Sequence, residues 1–176
     1  MRILLPYAPG LPRTVETLAT YFLLKTDILI RWDTFLTPCT KPDDYEKAVK
    51  QVWGLDDLLI WEHDIIPTLT MLEDLAACPW PVCAQAYKLY PATTVLPAPA
   101  YAHRRTACEF INEGDEFCNL VGFGLTKISL DVQNKIDPNI FDVNTWRSLD
   151  TVFSLKMLSL GIRAHVHWPE VRHNHR

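Results

Sequence analysis

Charge of neither sign dominates this chain: 17 basic residues stand against 21 acidic ones, a net charge of −4. A nucleic-acid interface needs a basic face, and the most basic patch, His103-Arg104-Arg105, is too short to make one. No apolar run approaches the roughly 18 residues that suggest a membrane span. The stretch Met1-Arg2-Ile3-Leu4-Leu5 meets Pro6 after too few apolar residues for a signal peptide. Five cysteines (Cys39, Cys78, Cys83, Cys108, Cys118) are odd in number and lack CxxC spacing. They read as reduced thiols of a cytoplasmic protein rather than a disulfide framework or a zinc ribbon. Internal repeats and low-complexity segments are missing. So are GxSxG, GxxxxGK[ST], HExxH and EF-hand patterns, which removes several large enzyme classes.

What is there is an ordinary globular composition. The chain has 176 residues, 48% of them hydrophobic, enough to bury a core and matched to one domain spanning 1–176. Thirteen prolines are spread along it, with Pro79, Pro81, Pro91, Pro97 and Pro99 making the middle loop-rich.

Apolar patterning divides the chain into alternating elements. Residues 2–5 read as a strand ending in the turn Pro6-Tyr7-Ala8-Pro9-Gly10. Pro12 then suits a first helical turn, with Val15, Leu18, Ala19, Phe22 and Leu23 as the apolar stripe. Residues 27–32 form a second expected strand with Asp33 at its C-terminal end. Asp43 and Glu46 resemble a capping box before a helix carrying Tyr45, Ala48, Val49, Val52 and Trp53. The run Leu58-Leu59-Ile60-Trp61 reads as a strand buried on both faces, followed by a short helix around 68–77 and a strand over 82–87. A helix is expected near 128–136, another over 149–160 capped by Ser148, and a strand over 162–167. Strand–helix alternation of this kind predicts an α/β/α sandwich of Rossmann type with parallel strands.

The chemistry concentrates where the buried run stops, at Glu62-His63-Asp64. Ligands of open α/β sheets bind beyond the carboxyl ends of the strands. At the strand period of two, Glu62 and Asp64 share a side and His63 points away. Two carboxylates so placed suit a hard divalent cation such as Mg²⁺; a solvated acidic turn is the plainer alternative. Four of the six histidines lie near the C-terminal end. His165 and His167 read as one strand face in preference to zinc ligands, whereas His173 or His175 could bring a nitrogen to the carboxylate pair. Gly122-Phe123-Gly124 is a weak signal for a turn before a helix. Asp150 is either a helix-dipole carboxylate or a general base. Asp33 is a turn former or an acceptor for a ribose or base.

In order, these pieces resemble nucleotide-sugar glycosyltransferases of the GT-A fold, family-2-like, over most of the chain. The resemblance runs from Ile3–Gly10 through Asp33 to Glu62-His63-Asp64, which is similar to the family's D-x-D element in an E-x-D form. It continues with Gly122-Phe123-Gly124-Leu125, with Asp150 and the helix to Gly161, and with the ending His167 to His175. The chain departs from the pattern in two respects. The acidic pair of the catalytic helix is Leu149-Asp150, with one carboxylate, and the Q-x-x-R-W element of processive members is absent. The chain is also compact for the family.

The resemblance implies a GT-A sandwich with a mixed, mainly parallel sheet and a glycosyltransferase of hexosyltransferase type. Asp64 and Glu62, with His173 or His175, would hold Mn²⁺ or Mg²⁺. Pro6, Tyr7, Ala8, Asp33, Glu62, Gly122 and Gly124 would take a UDP- or GDP-sugar. Asp150 would deprotonate an acceptor hydroxyl for displacement with inversion, and the 100–120 stretch would close as a lid. The alternatives are a nucleotide-binding or nucleotidyl-transfer α/β protein and a non-catalytic interaction domain.

Overall fold

The structure, a computed structural model, describes residues 1–25, 32–88, 97–98, 114–142 and 149–173. It begins with β1 (Arg2–Tyr7), α1 (Pro12–Leu24), β2 (Asp33–Pro38), α2 (Pro42–Val52) and β3 (Leu58–Trp61). A two-residue strand β4 (Ile65–Ile66) leads into α3 (Leu69–Ala77) and β5 (Val82–Lys88). Two short strands, β6 (Pro97–Ala98) and β7 (Phe117–Cys118), precede β8 (Leu125–Ile128) and α4 (Leu130–Gln133). A 3₁₀ turn over Pro138–Phe141, α5 (Leu149–Ser159) and the long strand β9 (Ala164–His173) complete the described chain.

The central sheet has the order β2-β1-β3-β8-β5-β9-β4. β1 pairs parallel with both β2 and β3, and β5 pairs parallel with β9. β8 is inserted antiparallel between β3 and β5, and β4 closes the edge antiparallel to β9. Along this path only β8 and β4 therefore run against the rest: the sheet is mixed and mainly parallel, as the resemblance implies.

Burial explains why the central strands are continuous apolar runs. Ile3, Leu4, Leu5 and Leu58 to Trp61 are fully buried, because helices cover both faces. Leu4, Leu58 and Ile60 pack with Ala48, Val49 and Val52 of α2, Val132 of α4, and Phe153 and Met157 of α5. Ile3, Leu5, Leu59 and Trp61 pack on the other face with Tyr21 of α1 and Leu72 and Leu75 of α3. The result is an α/β/α sandwich.

The strand expected over 27–32 falls mostly outside the described residues, and the next strand is Asp33–Pro38. Three local expectations are corrected. Leu125–Ile128, expected to lead directly into a helix, is a buried strand filling the gap between β3 and β5. The cap of α2 is made by Asp44, whose carboxylate accepts the Thr40 and Lys41 amides at 2.9 and 3.1 Å, rather than by Asp43 and Glu46. Helix α1 is rotated: Val15, Phe22 and Leu23 are 68%, 55% and 75% exposed, while Thr14, Thr17 and Tyr21 are buried. Its inward face is chosen by hydrogen bonds, since Thr14 Oγ1 donates to the Ala8 carbonyl and Thr17 Oγ1 to the His63 carbonyl. The thiol reading also changes, because Cys78 and Cys83 bring their sulfurs into bonding contact.

Candidate functional site

The buried strand β3 ends in a turn, not in further extended chain. The Ile65 amide donates back to the Glu62 carbonyl at 3.2 Å, with His63 and Asp64 at the centre. Glu62 and Asp64 thus come together through a turn rather than through strand alternation. Three contacts lock it: the Glu62 amide donates to the Gly124 carbonyl at 2.8 Å, Trp61 Nε1 to the Ile65 carbonyl at 2.8 Å, and Thr17 Oγ1 to the His63 carbonyl at 2.6 Å.

Around this turn the structure gathers groups from four other elements. Tyr45 of α2 donates its hydroxyl to Glu62 Oε1 at 2.9 Å. Arg13, in the first turn of α1, holds its guanidinium 4.0 Å from Asp64 Oδ2. Asp150 stands in the first turn of α5, where its Oδ1 accepts the Thr151 amide at 2.7 Å. Ser154, one turn on, is hydrogen-bonded to both the amide and the carbonyl of Val121, which fastens α5 to the glycine segment. Tyr87 of β5 completes the group.

Electrostatics show that the three carboxylates feel one another. Burial, and then the charges of Asp64 and Asp150, push Glu62 up from 4.5 to about 8. Burial, then Glu62, Asp150 and Asp64, likewise raise the Tyr87 phenol. A half-buried cluster of three acids facing one arginine carries surplus negative charge. Its all-oxygen donor set is the chemistry of Mg²⁺ or Mn²⁺, so the residues present fit such an ion.

The glycine segment has a steric explanation. A Cβ on Gly122 would overlap the Tyr87 hydroxyl and approach Asp150 Oδ2 to 3.7 Å. A Cβ on Gly124 would lie 2.7 Å from Tyr87 Cε1 and 3.3 Å from Ile65 Cδ1. Both glycines make room for the Tyr87 ring beneath the acidic cluster.

Of the residues expected at the site, Glu62, Asp64 and Asp150 are brought together, and Gly122 and Gly124 border them. Pro6 and Tyr7 end β1, and the β1–β3 register, continued past Leu4 and Ile60, sets Pro6 level with Glu62. The Ala8 carbonyl accepts from Thr14, the residue after Arg13, which ties that loop to the site. Asp33 is corrected. It opens β2 opposite Arg2, whereas Tyr7 and Pro38 mark the end where the cluster lies, and five strand residues span roughly 16 Å. The backbone of His173 closes β9 opposite Ile65, next to Asp64 along the chain; His175 and, of the lid expected over 100–120, residues 100–113 lie outside the described residues. Arg13, Tyr45 and Tyr87 escaped the sequence. Each sits in a helix or strand where it reads as surface charge or core, and no local spacing marks it.

No family model matches the chain, and no curated protein matches it by sequence. Solved structures do resemble it. The crystal structure of A197 from STIV superposes with a TM-score of 0.54 at 16% identity, over all of this chain and 95% of that one. A glycosyltransferase involved in glycosylation of the major capsid of PBCV-1 gives 0.45 at 9% identity, over 96% and 83%. CMP:2-keto-3-deoxy-manno-octonic acid synthetase complexed with CTP gives 0.46 at 11% identity, over 97% and 90%. The likeness to A197 is one of fold: the chain shares that protein's α/β architecture along its whole length.

Proposed function

We propose that this protein is a metal-dependent glycosyltransferase that moves a sugar from a UDP- or GDP-linked donor to an acceptor hydroxyl with inversion. The observation that carries the reading is the meeting of Asp150 with Glu62 and Asp64 at the carboxyl end of β3. That is the one place where the resemblance to GT-A enzymes needs those side chains to converge, and α5 is remote from β3 in sequence.

Asp64 and Glu62 would hold Mn²⁺ or Mg²⁺, with His173 or His175 as the further ligand the resemblance implies. When bound, the metal supplies Lewis acidity and neutralises charge on the diphosphate. The chain's own residues do the rest. Arg13 places a second cation at the rim, suited to a diphosphate oxygen. Pro6, Tyr7 and Ala8 shape the loop that would receive the nucleoside. Asp150 would accept the proton of the acceptor hydroxyl as its oxygen attacks the anomeric carbon in line and the bond to the diphosphate oxygen breaks. Tyr45 and Tyr87, packed below, fix the carboxylates and keep water from reaching them on the sheet side.

Titration calorimetry with UDP-, GDP-, CDP- and dTDP-sugars, with and without Mn²⁺, tests the reading. Metal-dependent binding of a sugar nucleotide is expected, followed by transfer when an acceptor is supplied. Binding of free nucleoside triphosphates alone would point to nucleotidyl transfer instead, and no binding of either kind would overturn catalysis at this site.

A further inference from the structure

We propose that Cys78, Cys83, His165 and His167 form a structural zinc site, separate from the carboxylate cluster. One ligand atom from each of the four residues lies within 4.8 Å of all the others. Two thiol sulfurs and two imidazole nitrogens are the donor set of closed, four-coordinate zinc centres. The set is complete without solvent, which makes the role structural and not catalytic.

Three separate segments build it. Cys78 ends α3, where its amide donates to the Leu75 carbonyl at 3.3 Å. Cys83 is the second residue of β5, and the parallel register with β9 sets it opposite His165 and Gln85 opposite His167. Because strand side chains alternate, His165 and His167 stand on the same face of β9, the face covered by α3. Cys78 is 5% exposed and Cys83 fully buried. His165 Nδ1 lies 3.8 Å from Cys78 Sγ. A tetrahedral zinc with bonds of about 2.3 Å to sulfur and about 2.0 Å to nitrogen sets that pair about 3.5 Å apart.

A second observation points to a ligand. The Nε2 of His167 is buried and has no hydrogen-bond partner among the described residues, a costly state for a polar atom. The surroundings orient the rings: Trp80 stacks on His165 at 6.1 Å between centroids, and Phe117 meets it edge-on at 5.4 Å. Lys127 donates to the Cys78 carbonyl at 2.6 Å, which fixes the backbone at the end of α3.

The same sulfurs can also pair as a disulfide, so the two states compete. Reducing that bond takes two electrons and two protons from a dithiol reductant, which is itself oxidised to a disulfide. Zinc binding then displaces the two thiol protons without electron transfer. The Cα atoms of Cys78 and Cys83 are 6.8 Å apart, at the outer edge of the range that disulfides span. In the zinc form the ion ties the end of α3 and the start of β5 to β9. The far end of β9 pairs with β4, just after Asp64, so the clasp also steadies the strand that supports the acidic turn.

The full chain, expressed with zinc and purified under a phosphine reductant, should contain about one zinc per molecule by plasma mass spectrometry. Replacement by Co²⁺ should give the intense d–d absorption of a tetrahedral thiolate–imidazole centre. The double variant His165→Ala/His167→Ala keeps both sulfurs and should lose the zinc and melt at a lower temperature. An alkylation assay on the wild-type chain should find Cys78 and Cys83 protected until a chelator is added. The proposal is overturned if the reduced wild-type chain binds neither zinc nor cobalt, if the double variant retains the metal, or if the disulfide persists in reductant with excess zinc. Should the double variant fail to fold, the cobalt spectrum and alkylation of the wild-type chain decide by themselves. Sugar-nucleotide binding plays no part in these readouts, so they stand apart from the proposed transferase activity.

Discussion

Tyr45 donates a 2.9 Å hydrogen bond to Oε1 of Glu62. This bond favours the ionised carboxylate, against the larger opposing effects of burial and of Asp64 and Asp150. Removing it with Tyr45→Phe should lift Glu62 further above 8 and weaken Mn²⁺ binding near neutral pH about tenfold, the lower end of what a hydrogen bond to a charged group contributes. Calorimetric titration of the variant measures this; an unchanged metal affinity would separate Glu62 from the metal.

The raised pKa of Glu62 sets a pH dependence with a definite sign. The folded chain holds this proton up to about 8, whereas the unfolded carboxyl releases it near 4.5. The stabilisation is therefore fully present below the unfolded value and is lost as pH rises through the folded one. Without metal, the melting temperature should fall from mildly acidic conditions to above pH 8, and Glu62→Gln should flatten the decline. Metal affinity should move the opposite way, rising by up to about tenfold per pH unit until Glu62 has ionised. A melting curve independent of Glu62 would contradict the buried, charge-coupled state of this group.

Asp64 and Asp150 should separate by function. Asp64→Ala should abolish metal-dependent donor binding while the fold persists, since the residue lies in a turn held by other contacts. Asp150→Asn should leave donor binding intact and slow transfer by about 10² to 10⁴-fold, the usual contribution of a general base. Donor binding by calorimetry and transfer by product chromatography distinguish the two, and undiminished transfer by Asp150→Asn would remove it as the base.

The two glycines beside Tyr87 should respond differently to the same rescue. Gly122→Ala meets the Tyr87 hydroxyl, while Gly124→Ala meets the ring carbons Cε1 and Cζ at 2.7 and 3.0 Å. Each alone should cost about 1–3 kcal/mol by overpacking. Tyr87→Phe should offset the first and not the second, so a double-mutant cycle read by chemical denaturation should show favourable coupling only for Gly122. Equal coupling at both positions would contradict the observed ring placement.

Much of the fold is legible in the residue pattern. The run Leu58–Trp61 is buried on both faces as its continuous apolar pattern predicts, and helices run over Pro12–Leu24 and Leu69–Ala77, where the first-turn proline and the apolar pattern around 68–77 place them. Local signals fail where a long-range contact overrides them. Val15, Phe22 and Leu23 make a good apolar stripe, yet α1 turns Thr14 and Thr17 inward because the carbonyls of Ala8 and His63 need donors there. Leu125–Ile128 is a strand because β3 and β5 leave a gap that its backbone fills, and so short a segment carries too little pattern to announce this.

The candidate sites divide along the same line. Residue order alone singles out Glu62, Asp64 and Asp150, because carboxylates after a buried strand and at a helix start are local features with a chemical reason. It does not decide that they meet, that Arg13 and Tyr45 join them, or that Asp33 lies at the opposite end of the sheet. Nor does the spacing of Cys78, Cys83, His165 and His167 suggest a common centre. Those outcomes depend on strand register and helix packing between segments far apart in the chain, where one residue of slip moves a side chain to the other face. Sequence by itself determined that Glu62, Asp64 and Asp150 are candidate site carboxylates and that Leu58–Trp61 is a buried strand; only the tertiary structure decided which side chains stand together.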